Sequence, residues 1–215
     1  MTTDLPAIVI RQLRDHERHA ASVVLARGMR DNPNHRAAFG DDPRRRLRSS
    51  LTMFNALFAV MRTQDRICAV GGANAGTPVG DHDAILGVAA MAAPGTCRPS
   101  VLQMTRMASR LTTVGAGPLA RVITWQNAWR GHDPDQPHSH LGPLAVDAHL
   151  QGRGIGSALM REYTRRLDTA GHIGYLETDR SENVAFYERH GFTVTGRATV
   201  LDTPNWFMRR EPGHG

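Results

Sequence analysis

The stretch "HLQGRGIGSALM" (149–160) constrains this chain more than any other, because it places glycine at positions 152, 154 and 156 where a helix begins. Glycine weakens a helix by about 1 kcal/mol relative to alanine, so bare backbone must be required there. The preceding segment "LGPLAVD" predicts a strand. Where a strand leads into a helix, unpaired amides and the positive end of the helix dipole favour an anion. The pattern therefore predicts a mixed α/β domain with an anion site at this junction.

The spacing of these glycines differs from two common nucleotide-binding motifs. A dinucleotide-binding G-x-G-x-x-G that started at Gly152 would need glycine at position 157, which is Ser157. A P-loop needs a glycine followed by lysine, and all 26 basic residues of this chain are arginine. A glycine-rich turn that binds no ligand remains the alternative to an anion site.

Length and composition predict one globular domain. The chain has 215 residues, of which 40% are hydrophobic and 21% charged, enough for a sizeable core. It contains no run of 18 or more apolar residues, and the first residues, "MTTDLPAIVI", lack the features of a secretory signal. Its two cysteines, Cys68 and Cys97, are too few for a disulfide scaffold or a structural zinc site. We therefore expect a reduced, cytoplasmic protein.

The hydrophobic periodicity predicts alternating strands and helices. Strands are predicted over "AIVIRQLR", "RICAVGGA", "AILGVAAMA", "HSHLGPLAVD", "IGYLETD", "FTVTGRATV" and "NWFMRR", with a glycine-rich turn over 74–83. Four helices are predicted from their capping or stop signals: one capped by Asp15 and ending at Met29, one that begins after Asp42 and Pro43, one over "GIGSALMREYTRRLDTAG" closed by Gly171, and one over "SENVAFYERHG" capped by Ser181. Two further helices are predicted over "SVLQMTRMASRLTTV" and "PLARVITWQNAWR". The segment 30–42 is predicted as a polar link.

The segment "QGRGIG" resembles the R/Q-x-x-G-x-G/A signature of the GNAT superfamily of acetyl-CoA-dependent N-acetyltransferases, with Gln151, Gly154 and Gly156 at the defining positions. "YLETDRSENVAFYERHGF" follows at the distance typical of that family, and the resemblance covers about 138–210. Within the family, "NVAFYERHGFTVT", "RDNPN" and the tail "WFMRR" most resemble the puromycin N-acetyltransferase type. The resemblance implies a single domain built on a mixed, mostly antiparallel sheet of about seven strands with flanking helices. A splayed strand pair would bind the cofactor, with an acceptor-side half over about 1–137 and a cofactor-binding half over about 138–215.

The resemblance also implies which residues bind acetyl-CoA. Main-chain groups of Leu144, Ala145 and Val146 would pair with the pantetheine arm beside a bulge at Gly142 and Pro143. The loop and helix start would hold the pyrophosphate, and the short helix would contribute the remaining contacts: Gln151, Gly152, Arg153, Gly154, Ile155, Gly156, Ser157, Asn183, Phe186 and Tyr187. An arginine that simply faces solvent is the alternative for Arg153, and a helix-capping asparagine is the alternative for Asn183.

Three residues are candidates for catalysis. Tyr187 lies four residues after Asn183 on one helix face, and the family uses a tyrosine at this position to protonate the departing thiolate, with a tyrosine packed on the sheet as the alternative. Glu177 would orient the acceptor amine or accept its proton, with a structural ion pair as the alternative. His140 would relay that proton because a histidine pKa ordinarily lies near neutrality, with a structural histidine as the alternative. His138 shares its strand face, but two histidines without a third ligand make a poor zinc site, so we predict no metal.

These features predict transfer of acetyl from acetyl-CoA to a primary amine of a small molecule, by direct attack in a ternary complex. A non-catalytic acyl-CoA-binding regulator on the same fold is the alternative. The net charge of +6 would also suit a nucleic-acid binder, but the densest basic run, "RRRLR", fits the solvated start of a helix. We therefore predict no nucleic-acid or membrane partner, and a monomer or homodimer. The acceptor pocket is expected to involve segments 27–42 and 125–137, with Asn32, His35, Trp125 and Trp129.

Overall fold

Seven strands and seven α-helices alternate along the part of the chain that this computed structural model describes, residues 8–61, 65–71 and 84–213. The strands are β1 (Ile8–Gln12), β2 (Asp65–Gly71), β3 (Ile85–Ala92), β4 (His138–Val146), β5 (Ile173–Thr178), β6 (Thr193–Val200) and β7 (Thr203–Arg210). The helices are α1 (Arg18–Met29), α2 (Pro33–Phe39), α3 (Pro43–Val60), α4 (Val101–Leu111), α5 (Ala116–Arg130), α6 (Ile155–Ala170) and α7 (Ser181–Glu188). The turn predicted over 74–83 lies outside the described residues.

The strands form one open sheet in the order β1-β2-β3-β4-β5-β7-β6. Neighbouring strands are antiparallel except β4 and β5, which run parallel because α6 connects them across one face of the sheet. The single α/β domain and the mixed, mostly antiparallel sheet of seven strands are confirmed. Within the described residues, no helix is both long and apolar enough to cross a bilayer.

Both faces of the central strands are buried. Along β2, Ile67 belongs to a core cluster that includes the apolar side of α6, whereas Cys68 belongs to a cluster that includes α1 and α3. Successive side chains of a strand point to opposite faces, so both faces need a helical cover and an unbroken apolar run. Cys68 is fully buried, as expected for a small hydrophobic residue.

Helix ends agree with the local signals at two predicted positions. The Asp42 carboxylate accepts a hydrogen bond from the Arg44 N–H at 2.9 Å, and Pro43 opens α3. Gly171 ends α6 with a φ of 65°, a left-handed conformation that favours glycine. Both predicted helix boundaries are confirmed. Their start and stop signals act within one helical turn, so the local sequence is sufficient to locate them.

Three local predictions are wrong. Asp15 does not cap a helix: it opens a 3₁₀ turn, and Glu17, paired with Arg11, accepts the hydrogen bond from the Arg14 N–H at 2.9 Å. The segment predicted as a polar link contains α2, whose first residue is Pro33. Ser181 is the first residue of α7 and makes no capping bond.

Candidate active site

The parallel pair β4–β5 separates halfway along β4. Pairing runs from His138 opposite Ile173 to Leu141 opposite Leu176 and stops there. Beyond that point β4 continues alongside β3, with a register shift where Gly142 and Pro143 face β3. No strand of the described chain pairs with the β5-side edge of residues 142–146. The predicted bulge and splayed strand pair are therefore confirmed, and they leave a row of main-chain donors and acceptors facing a wedge.

A glycine loop lies at the wide end of this wedge. Gly152 and Gly154 have φ angles of 78° and 82°, and a β-carbon added to either would have no neighbour within 4 Å. Gly154 caps α6, and the first helical bond runs from the Ala158 N–H to the Gly154 carbonyl at 3.0 Å. The amides of residues 155–157 therefore precede the helical ladder and point from the helix start. The loop is a bare, open cradle with the positive end of a helix dipole behind it.

Side chains around the loop fix its position. Gln151 Nε2 donates to the carbonyls of Gly28 and Val146 at 3.2 and 3.3 Å, which ties the loop to α1 and β4. A β-carbon at Gly28 would lie 2.4 Å from the Val146 carbonyl oxygen, so only glycine lets α1 approach β4 this closely. Gly156 lies beside Phe186 of α7, and Arg153 is exposed. Gly28 was not predicted from the sequence, because its neighbour Val146 is 118 positions away.

A cavity of about 240 Å³ opens on the other side of the splayed strands. Its apolar wall comes mainly from α1, α3, α4 and α5, and includes Met29, Met53, Phe54, Leu57, Met107, Trp125 and Trp129. The two predicted segments contribute to this wall, together with Asn32 and His35. The sequence analysis missed α3 and α4, because an apolar helix face that lines a cavity has the same spacing as one that packs in a core. Burial lowers the pKa of His35 to about 3, so this histidine is neutral.

The polar end of the same cavity lies where β5 meets α7. Tyr187 is 7% exposed, and burial, together with the charges of Asp179 and Glu177, raises its pKa. The phenol therefore holds its proton at neutral pH. Asn183 Nδ2 donates to Thr178 Oγ1 at 3.3 Å, which joins the start of α7 to the end of β5. Glu177, Asn183 and Tyr187 thus all line one cavity.

His140 and Glu177 form one pair, with Nε2 2.8 Å from Oε2. Burial alone lowers the pKa of His140, but the negative charge of Glu177, hydrogen bonds to Cys97 and Glu177, and the charge of Asp133 outweigh it. The net effect raises the pKa of His140 to about 10. These neighbours move the pKa of His140 away from the near-neutral value on which its predicted relay role was based. The pair is a half-buried histidine–carboxylate contact at the edge of the cavity.

Two further groups lie beside the histidines of β4. Cys97 follows β3 and Asp133 follows α5, and their ligand atoms lie within 4.8 Å of each other and of ring nitrogens of His138 and His140. The sequence argument against a metal assumed that no third ligand was present. The fold supplies two such groups from segments that are far apart in sequence.

The open sheet thus combines one splayed parallel pair, a helix start suited to an anion and an adjoining ligand-sized cavity. The model of the acetyltransferase (GNAT) family matches residues 117–192, which include β4, the glycine loop, α6, β5 and α7. The match covers about a third of the chain, and the solved structures described next share its fold.

Several solved structures share the fold over nearly the whole chain. One, described as histone acetyltransferase HPA2 and related acetyltransferase from Corynebacterium glutamicum, has a TM-score of 0.68 and 18% identity, covering 97% of this chain and 98% of that one. A polyamine N-acetyltransferase of Drosophila melanogaster has a TM-score of 0.60 at 15% identity, covering 95% and 100%. A GNAT family acetyltransferase of Brucella melitensis, in complex with acetyl-CoA, has a TM-score of 0.52 at 17% identity, covering 96% and 89%. At these identities the similarity shows the fold.

Proposed function

We propose that this protein is an N-acetyltransferase that moves the acetyl group of acetyl-CoA to a primary amine of a small molecule, by direct attack in a ternary complex. The observation that carries the proposal is the position of the splayed β4 edge. It lies between the glycine cradle on one side and, on the other, a cavity that holds a protonated phenol and a carboxylate. Both substrates can therefore reach one point from opposite sides.

The residues present fit acetyl-CoA. The positive-φ glycines leave open space where a β-carbon would stand, and the amides of 155–157 are free of the helical ladder, which suits a pyrophosphate. Main-chain groups of Leu144, Ala145 and Val146 would bind the pantetheine amides, with Asn183 and Phe186 along the opposite side. The bound thioester supplies an activated acetyl group. An amide near Val146 would donate to its oxygen, where negative charge develops as an amine attacks.

On the acceptor side, Glu177 would hold the ammonium and receive a proton, with His140 positioning its carboxylate through the 2.8 Å contact. A proton relay through His140 would use that same contact. Tyr187, whose raised pKa keeps it protonated, would donate to the departing thiolate. These assignments give the cavity two functional groups: Glu177, a carboxylate that binds the amine, and Tyr187, an acid that faces the departing thiolate.

The cavity supports an amine with an apolar or aromatic body. Tryptophan, phenylalanine and methionine side chains make most of its wall, whereas a linear polyamine would need several anionic groups. This supports an aromatic or nucleoside-like acceptor. The assignment to the puromycin N-acetyltransferase type remains a prediction, carried by the sequence resemblance.

The proposal is tested with purified protein, acetyl-CoA and a panel of primary amines: aromatic, nucleoside-like, aliphatic and linear polyamine. Released thiol is measured with a thiol reagent, and the acetylated amine by mass. We expect amine-dependent thiol release with the greatest kcat/KM for aromatic amines. Acetyl-CoA binding without any amine-dependent release would instead support the acyl-CoA-binding regulator, and absence of binding would contradict both.

A further inference from the structure

Two loops meet the start of β4 at one point beside the cavity. Cys97 lies between β3 and α4, Asp133 lies between α5 and β4, and His138 and His140 are on one face of β4. One ligand atom from each of the four lies within 4.8 Å of the others. Because Cys97 precedes α4 and Asp133 follows α5, the cluster joins both ends of the helical pair that covers the acceptor cavity.

The ring of His138 is oriented by a backbone carbonyl. Its Nδ1 is 2.8 Å from the carbonyl oxygen of Gln136, which can only accept, so Nδ1 carries a hydrogen. Its Nε2 is 3.0 Å from Asp133 Oδ1, which is also an acceptor. Two acceptors on one ring mean that Nε2 either carries a second proton or faces Asp133 across a bound cation. In metal sites, a histidine ligand characteristically donates its other N–H to a carbonyl or carboxylate in this way.

His140 repeats this arrangement with its nitrogens exchanged. Its Nε2 is 2.8 Å from the Glu177 carboxylate, and its Nδ1 turns towards Asp133 Oδ1 at 3.8 Å. Cys97 Sγ completes the group at 3.7 Å from Asp133 Oδ2, while Arg98 Nε donates to that same oxygen at 2.9 Å. Two histidines therefore converge on one point, and each has its outer nitrogen hydrogen-bonded to an acceptor outside the cluster.

We propose that Cys97, Asp133, His138 and His140 form a binding site for one divalent transition-metal ion of the zinc type. A tetrahedral zinc ion with bonds of about 2.0–2.3 Å has ligands about 3.3–3.8 Å apart, and the distances above bracket that range. Thiolate and imidazole ligands select zinc-like ions over magnesium or calcium. A thiolate and a carboxylate also balance the charge of a divalent ion. A side cavity of about 80 Å³, lined by Cys97, Asp133 and His140, gives the ion a route in.

A bound ion would fasten the loops before α4 and after α5 to β4. The helices α4 and α5 would then be closed over the acceptor cavity by a cross-link at their base, and His140 would be held against Glu177. This inference does not depend on the proposed acetyl transfer, because it concerns ion binding by the protein alone.

The test uses the full chain, stripped with a chelator, in the absence of acetyl-CoA and amines. Calorimetry with Zn²⁺ is expected to give one site per chain, and thermal unfolding a higher Tm with Zn²⁺ present. Co²⁺ is expected to give the near-ultraviolet absorption of a thiolate–cobalt bond. Zn²⁺ should also slow alkylation of Cys97, which can be followed separately because the chain's other cysteine, Cys68, is fully buried.

Variants assign the site. Cys97→Ser should abolish the thiolate–cobalt band, and Asp133→Asn should weaken Zn²⁺ binding at least about tenfold, whereas Asp135→Asn, an exposed neighbour two residues away, should leave it unchanged. His138→Ala would remove a third ligand. If that variant does not fold, Cys97→Ser still tests the site, because Cys97 is only half-buried. Failure of the stripped parent protein to bind Zn²⁺, or binding that Cys97→Ser and Asp133→Asn leave unchanged, would overturn the proposal.

Discussion

Replacement of Gly154 by alanine tests whether the glycine cradle binds coenzyme A. Gly154 has a φ of 82° at the start of α6, and the added methyl group would enter the open space in front of the loop. Gly171 is the matched control: it has a φ of 65° at the other end of the same helix, and its β-carbon would also have no neighbour within 4 Å. The two variants therefore impose similar backbone strain at opposite ends of α6.

The expected magnitudes follow from this geometry. An L-residue in the left-handed region costs about 1–2 kcal/mol, and a domain of this size loses about 2–4 °C of Tm per kcal/mol. Both variants should therefore show a Tm lower by roughly 2–8 °C. Loss of one amide–phosphate hydrogen bond costs about 1.5–3 kcal/mol, so Gly154→Ala should weaken coenzyme A binding roughly 10- to 150-fold. Gly171→Ala should retain the parent affinity.

Calorimetric titration of coenzyme A, with Tm measured on the same samples, separates the two effects. Parent-like affinity in a folded Gly154→Ala variant would refute the assignment of the pyrophosphate to this loop. An equal loss of affinity in both variants would show that helix stability, rather than the cradle, controls binding.

The remaining predictions concern catalysis, stability and pH. Tyr187→Phe should lower kcat about tenfold or more with acetyl-CoA affinity retained, because it removes only the proton donor; full kcat in steady-state assays would make Tyr187 a packing residue. Asn205→Ala should lower the free energy of unfolding by about 2–4 kcal/mol in urea titrations, because its oxygen accepts buried hydrogen bonds from Asn34 at 2.7 Å and from Trp129 at 2.9 Å; an unchanged urea midpoint would contradict this. The hydrogen bond to Arg11 lowers the pKa of Glu17 from 4.5 to about 2, so the pair stabilises the fold above pH 4.5 and this stability is lost as pH falls towards 2. Parent protein should lose roughly 3 kcal/mol more than Glu17→Gln between those pH values, and parallel pH profiles would exclude the pair.

Signals confined to one helical turn predicted much of the fold. The residues Asp42 with Pro43, Gly154 and Gly171 each mark a helix boundary, and the structure confirms these boundaries. Local sequence patterns were sufficient for these boundaries because the interactions that begin or end a helix lie within one turn of it.

Other parts depend on residues that only the fold brings together. Nothing near Gly28 in the sequence indicates that the Val146 carbonyl will lie against it. The raised pKa of His140 needs Glu177 on the next strand and Asp133 after α5, and the wrong cap at Asp15 reflects competition from Glu17, which Arg11 holds from β1. Contacts between segments that are distant in sequence determine this close packing, this pKa and this helix start. The hydrophobic periodicity of the sequence does not predict such contacts.

In the proposed acetyl transfer, the early end of β4–β5 pairing lets the bound cofactor complete the sheet. Along residues 142–146, β4 offers a backbone edge that side-chain substitution cannot retune. A pantetheine arm, which carries two amides, would take the place of a neighbouring strand along that edge. Donor recognition of this kind would depend on the backbone of the sheet, while the side chains of the cavity wall from α1, α3, α4 and α5 would be free to diverge. Related chains could change their acceptor amine by changing the side chains of these helices. The hydrogen-bond geometry of the β4 edge would meanwhile preserve the binding of the acyl donor.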